Sequence, residues 1–456
     1  MTRLLPLVLA AALPLASAGN AKERAAGTDL ALVNVAVVDV ITGKVIPARS
    51  VLIHDGRISA IQPASAAVPP RFRKLDGRGG YALPGLWDEH VHLSDASLPD
   101  TAKLAEGFVQ AGVTTVRDMG GNLSVVDALR ELIRSGAVRG PRIFRPGPFI
   151  DGYKNGAPDR VTVENAREAE AAIAALKLEK VDFIKIHNGV SKDAFHAVMS
   201  AARRAGLKVA VHLPQSISAE EAAAAGAATL EHTETLMESG LRSLKLPGKT
   251  VEEGRRALAY EARNGPGSLI ATMRSRKTCF TPTLSEYRSF AAMPSTSYPV
   301  DAPKVAPPSL LAFWDRYFPP DSPENAFKNK IRQQVFATFA SVVKALYAAG
   351  VPILAGTDLG ARDIYPGISL HEELKLLSDA GLSNLDVLRA ATINPARCMG
   401  LADSIGSLSV HKAADILVVA GNPLVELAML GRIKMVIIGG HVVRRIDANE
   451  VAARGH

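Results

Sequence analysis

The chain has only two cysteines in 456 residues, Cys279 and Cys398. That excludes the cysteine framework that staples small secreted domains. One disulfide is possible, but the expectation for both residues is a buried core thiol. No Gly-x-Gly-x-x-Gly follows an early strand, so a dinucleotide fold has no support. Past the N-terminus no apolar run is long enough to read as a transmembrane span. Nor is there a concentrated basic tract. The net charge is +8 and the pI about 9.4, yet the cations are scattered. The densest run, Arg71 to Lys74, lies beside β-like sequence. A solvated basic surface is expected, not a nucleic-acid interface. With 47% hydrophobic and 21% charged residues, the chain has ample material for a large globular core.

The N-terminus carries an early Arg3, an apolar run from Leu4, and Ala16-Ser17-Ala18. This is the layout of a secretory signal peptide, cleaved after Ala18. No cysteine follows it, so lipid anchoring is not indicated. The expected protein is exported, periplasmic, and without stable membrane insertion once the signal is removed.

Segments near Leu30–Ile61 and after Ala414 share a texture of short apolar strands and Gly- or Asp-containing turns. Two such ends can form one small β domain, because chain termini often lie close together. Between them, eight apolar runs alternate with helical stretches such as Glu164–Leu178 and Lys192–Ala205. The runs are GLWDEHVHL, VTTVRDMG, RIFRPGPFI, DFIKIHNG, LKVAVHLP, ATLEHT, CFTPTL and VPILAGTD. This alternation predicts an α/β chain with a (β/α)8 TIM-like barrel, with an open doubly wound sheet as the rival. The expected division is a composite β-sandwich from residues 19–82 and 403–456 around a barrel at 83–402. Helical insertions are expected at about 237–278 and 286–347, with a Pro-rich loop near AAMPSTSYPVDAPKVAPPS.

Polar residues recur where the predicted strands end. His90 and His92 are spaced to share one strand face. Lys185 and His187 follow in the fourth strand, then His212, His232 and Asp358 in the fifth, sixth and eighth. Singly, each has a bland reading: a hydrogen-bonded histidine, a snorkelling lysine, a helix-capping aspartate. Together, at strand ends that a barrel gathers at one mouth, they form a metal-ligand inventory. An ordinary lysine would repel a metal pair. Carboxylated by CO2 on its amine, Lys185 becomes an anion with two oxygens, able to bridge two metals.

His90-x-His92, Lys185, His212, His232 and Asp358, with LPGLWDEHVHL and AGTDLG around the first and last, resemble the amidohydrolase superfamily. The block from His371 to Leu424 is similar to the imidazolonepropionase-like and prolidase-like branch. The resemblance implies a metal-bearing barrel with a β-sandwich from both ends. It also implies two divalent metal ions, with zinc the default. His90, His92 and Asp358 would hold the buried ion, and His212 and His232 the exposed one. Carboxylated Lys185 would bridge them together with a hydroxide, and Asp358 would shuttle the proton. Deaminase-type relatives lack the strand-four lysine and carry Glu three residues after the strand-five histidine. Here Lys185 is present and Gln215 holds that place, which disfavours deamination and the imidazolonepropionase reaction.

The implied activity is hydrolysis of an amide bond in a small carboxylate-bearing substrate: a dipeptide such as Xaa-Pro, or an N-acyl amino acid such as ochratoxin A. Hydrolysis of a lactone or cyclic amide is the alternative within the enzyme class. A non-catalytic binding or assembly protein on the same scaffold is the alternative outside it. Further candidates for substrate contact are His187, Tyr153, Tyr287 and Arg288. Lys154 beside Tyr153 is a weaker one, Arg117 reads as structural, and His371 as a helix cap. The insertions, and the habit of the branch, imply a homo-oligomer.

Overall fold

The computed structural model describes residues 29–153, 158–292, 306–318 and 323–446. The expected signal peptide, Lys154 and most of the Pro-rich loop lie outside these residues.

Both ends of the described chain meet in one seven-stranded sheet. Its strands are β1 (Leu30–Asp39), β2 (Lys44–His54), β3 (Arg57–Pro63), β4 (Arg73–Pro84), β14 (Ile416–Val419), β15 (Ile433–Ile438) and β16 (His441–Arg445). The order is β16-β15-β14-β4-β1-β2-β3, with β1 parallel to β4 and the other pairs antiparallel. Strand alternation lets β14 serve two cores. Ile416 and Val418 pack with Leu30, Leu32 and Ile53 in the core of the β domain. Leu417 and Val419 face the other way, into the barrel core. The small β-sandwich domain is thus stitched to the barrel by β14, and also by Val38 of β1, Leu83 of β4, Ile433 and Val436 of β15 and Val443 of β16, which lie in the same barrel core.

The barrel strands are β5 (Leu86–Val91), β6 (Val113–Asp118), β7 (Arg142–Phe144), β8 (Phe149–Asp151), β10 (Ile184–Ile186), β11 (Val209–His212), β12 (Thr229–Glu231) and β13 (Cys279–Thr281). All pair in parallel. A short β9 (Arg160–Thr162) adds to the edge of β8. Two expected strands differ in detail. The third is split: β7 pairs with β6, and β8 with β10. Pro146 and Pro148 lie between the halves, and a proline has no N–H to give a ladder. The eighth run, VPILAGTD, is an extended segment held by isolated bridges, Phe280 to Ile353 and Val91 to Leu359. Backbone bonds still close the ring there. Leu354 N donates to Phe280 O at 2.8 Å, and Asp358 N to His90 O at 2.8 Å.

The helices begin and end where local chemistry requires. Asn165 and Ser191 cap helices Ala166–Leu178 and Lys192–Ala205 through their side-chain oxygens, and Gly206 ends the second in the left-handed region. Helices Thr233–Ser243, Val251–Glu261 and Leu269–Arg276 fill the stretch between β12 and β13. Helices Leu284–Ala292, Pro308–Tyr317 and Pro323–Ala348 follow β13. His371 does act as a cap, but of another helix: its Nε2 meets the carbonyl of Ala111, just past helix Leu98–Gln110, at 2.8 Å.

The expectation of two free thiols is corrected. Cys279 and Cys398 form a disulfide across 119 positions, with Cα atoms 6.4 Å apart. Barrel closure brings the start of β13 against helix Ile393–Met399, a juxtaposition that linear spacing conceals. Among the described residues, no helix is long and apolar enough to cross a membrane.

Candidate metal centre

The strand ends deliver the predicted residues to one cavity of about 350 Å³. Its walls include His90, His92, Lys185, His187, His212, His232 and Asp358. Ring centroids step across it: His92 to His90 5.5 Å, His90 to His232 4.5 Å, His232 to His212 4.9 Å, His212 to His187 4.7 Å. Asp358 Oδ1 lies 3.3 Å from Nε2 of both His90 and His92. His232 and Asp358 adopt positive φ, 68° and 60°, a costly conformation for side-chain-bearing residues and one that clusters at functional sites.

Surrounding acceptors fix the ring orientations. His90 Nδ1 donates to Glu231 Oε2 at 3.1 Å, and His92 Nδ1 to the Gly120 carbonyl at 3.3 Å. His232 Nδ1 lies 3.0 Å from Thr283 Oγ1 and 3.3 Å from Glu286 Oε2. Occupying Nδ1 leaves the Nε2 lone pairs for a ligand, the arrangement found around protein metal sites. Burial holds His90 and His212 well below the usual histidine range, in the neutral form that binds metal. Burial also opposes charge on His92, but the bond to Asp358 outweighs it and lifts that ring to about 9. Asp358 itself resists burial because His90, and then the His92 hydrogen bond, hold its carboxyl well below the ordinary range.

The residues fit a cation. His90, His232 and Asp358 offer ligand atoms all within 4.8 Å of one another. His90 Nε2 and Lys185 Nζ are buried without a hydrogen-bond partner. Such orphans are rare in folded proteins and call for an explanation. Burial pushes the Lys185 amine down to about 8. More of it is then neutral, the form that adds CO2.

Beneath the imidazoles lies a layer of charges of which the sequence pointed only to Arg117. Arg117 Nε sits 3.0 Å from Glu89 Oε2, and its Nη2 donates to Glu231 Oε1 at 2.7 Å. Burial works against ionisation of Glu231, but Arg117 and then Lys185 hold its carboxyl below the usual range. Arg117 therefore acts through Glu231 on His90. Asp88 ties the eighth segment to β5, accepting from Thr357 N at 3.0 Å and Thr357 Oγ1 at 2.7 Å. Glu231, Glu286 and Asp151 were missed as site residues. The available signal was a charged residue inside or just after an apolar strand, which is costly unless partnered.

The weaker candidates separate. His187 lines the cavity, its Nδ1 donating to Asp151 Oδ2 at 3.0 Å. Tyr287 also lines it, though nearly all of the residue is buried and its ring packs on Phe339. Tyr153 is 53% exposed and is not among the cavity's lining residues. Arg288 is not brought in either. It pairs with Glu372 at 2.6 Å on the outside of its helix.

The amidohydrolase family model matches residues 81–443. The chain belongs to the amidohydrolase family. It is therefore a hydrolase by family, and that family is generally metal-dependent. Among curated proteins it is 28% identical to adenine deaminase 2 of Bradyrhizobium sp. (strain ORS 278) over 202 residues, 41% of this chain and 32% of that protein. The chain thus spans about a third of that relative's length. Among solved structures it is similar to a candidate prolidase from Bifidobacterium longum. The TM-score is 0.68 at 25% identity, covering 93% of this chain and 98% of that one. A Xaa-Pro dipeptidase with bound methionine in its active site gives 0.68 at 22%, covering 91% and 99%. The ochratoxinase of A. niger gives 0.66 at 17%, covering 92% and 96%. The last two likenesses bear on the fold alone.

Proposed function

We propose that this amidohydrolase is an exported two-metal enzyme that cleaves the amide bond of a small molecule, a dipeptide or an N-acyl amino acid. The carrying observation is the partnerless, buried Lys185 Nζ in a cavity lined by five imidazoles and Asp358. His90, His92 and Asp358 would hold one ion, His212 and His232 the other, with Lys185, carboxylated, between them. Zinc suits imidazole mixed with carboxylate oxygen. Divalent cations bound there would polarise the scissile carbonyl and lower the pKa of water from ~15.7 toward ~7.

The remaining chemistry belongs to the chain. Asp358, ionised at rest, would take the proton given up by the water that attacks the carbonyl carbon and pass it to the nitrogen as the C–N bond breaks. Glu231 keeps the His90 ring in register, and Asp151 does the same for His187. A cavity of about 350 Å³ is of the size that takes a small ligand. The disulfide supports export, since such bonds persist in oxidising compartments.

Deamination is the second reading, favoured by the adenine deaminase relative. The test is a hydrolysis screen of the metal-loaded protein against Xaa-Pro and Xaa-Arg dipeptides, N-acyl phenylalanines and adenine. Amide cleavage with no ammonia released from adenine supports the proposal. Turnover of adenine alone overturns it.

A further inference from the structure

A second cavity, of about 890 Å³, opens on the opposite face of the barrel. Strand polarity fixes its place. Its walls include Val209, Ala228, Cys279 and Pro352, at or just before the starts of β11, β12, β13 and the eighth segment. The imidazoles stand at the other ends of these strands. Six cations surround the opening: Arg203, Lys208, Arg274, Arg276, Lys277 and Arg397. All six are exposed, and no carboxylate is among the lining residues.

Some cations elsewhere on this surface are neutralised, as in Arg134 with Glu131, Lys192 with Glu221 and Lys375 with Asp379. Around this cavity, among the described residues, no ion pair is made by any of the six. Arg203 donates only a long bond, 3.4 Å, to the Ala225 carbonyl. Like charges around a concave, low-dielectric wall reinforce one another's potential and concentrate anions. The floor differs from the rim. It is apolar and buried, built from Val209, Ala227 and the Cys279–Cys398 disulfide. A bare anion would satisfy the rim and leave the floor wet.

We propose that this cavity binds an anion with an apolar body, its phosphate or carboxylate headgroup held by the rim cations and a short aliphatic chain laid on the floor. Such a headgroup can arrive on a free amphiphile or in a bilayer. The test titrates the full chain calorimetrically with octyl phosphate, inorganic phosphate and octanol, and sediments it with phosphatidylglycerol or phosphatidylcholine vesicles. Saturable binding of octyl phosphate is expected, with inorganic phosphate weaker by about tenfold or more because the chain contributes its own burial. The double variant Arg274→Glu/Arg276→Glu should weaken octyl phosphate by about tenfold or more, while Lys44→Glu on the distant β2 leaves it unchanged. If the double variant does not fold, Arg203→Gln/Lys208→Gln carries the same expectation. Octyl phosphate binding together with co-sedimentation on phosphatidylglycerol but not phosphatidylcholine vesicles, both lost in the variant, assigns the bilayer source. Octyl phosphate binding without vesicle binding assigns the free amphiphile. Absence of octyl phosphate binding, equal affinity for inorganic phosphate or octanol, or binding indifferent to both variants overturns the proposal.

Discussion

The two faces of the barrel present opposite solutions to holding charge. At the C-terminal ends of the strands, charges are buried, mixed in sign and tied to one another: Arg117 to Glu231, Glu231 to His90, His90 to Asp358. At the N-terminal ends they are exposed and of one sign, around a cavity more than twice as large, about 890 against 350 Å³. Size therefore does not locate the chemistry here. A buried amine left unsatisfied within the chain, Lys185 Nζ, beside that network does, because such an orphan costs free energy that a ligand recovers.

Substitutions can sharpen that contrast. The largest effect is expected at Asp358→Asn, which keeps the shape and removes the proton acceptor. Turnover should fall by about 10²- to 10⁴-fold in steady-state assays, and a retained rate would remove Asp358 from proton transfer. Lys185→Ala should lose bound metal together with activity, measured as metal content beside rate. Glu231→Gln acts one step back. It should weaken metal affinity by about 10- to 100-fold through the loosened His90 ring, read by competition with a chelator, and an unchanged affinity would make the buried charge layer merely structural.

At the other face, Cys279→Ala/Cys398→Ala should leave the ligand set intact and lower unfolding stability by about 2–5 kcal/mol, because it frees a long loop in the unfolded chain. Denaturant unfolding checks this, and an equal loss of metal would show that the two faces are coupled. The smallest effect is expected at Arg288→Ala. A half-exposed pair with Glu372 contributes no more than about 1 kcal/mol, and kcat/KM should barely move. A large rise in KM would instead place Arg288 at the substrate.

Much of the catalytic face was legible because its residues obey local rules. His90 and His92 share a face by strand alternation, and the apolar runs marked the strands whose ends bear His212, His232 and Asp358. What was not legible depends on closure. The disulfide joins positions 119 apart, and no local pattern pairs them. Glu231 reads as one more polar residue at the end of a strand until the ring sets it between Arg117 and His90. Arg288 and Tyr287 are neighbours in sequence, yet a helix turns one to solvent and the other to the cavity. The broken third strand was written in Pro146 and Pro148, but the pairing of its halves with different neighbours follows from the barrel.

The central claim is that the gathered imidazoles, Lys185 and Asp358 exist to hold catalytic metal. Metal analysis of the purified protein, run beside amide hydrolysis before and after chelation, tests it most directly. The account predicts about two divalent ions per chain, activity lost with them, and activity regained on adding zinc. Full activity in protein stripped of metal would contradict it.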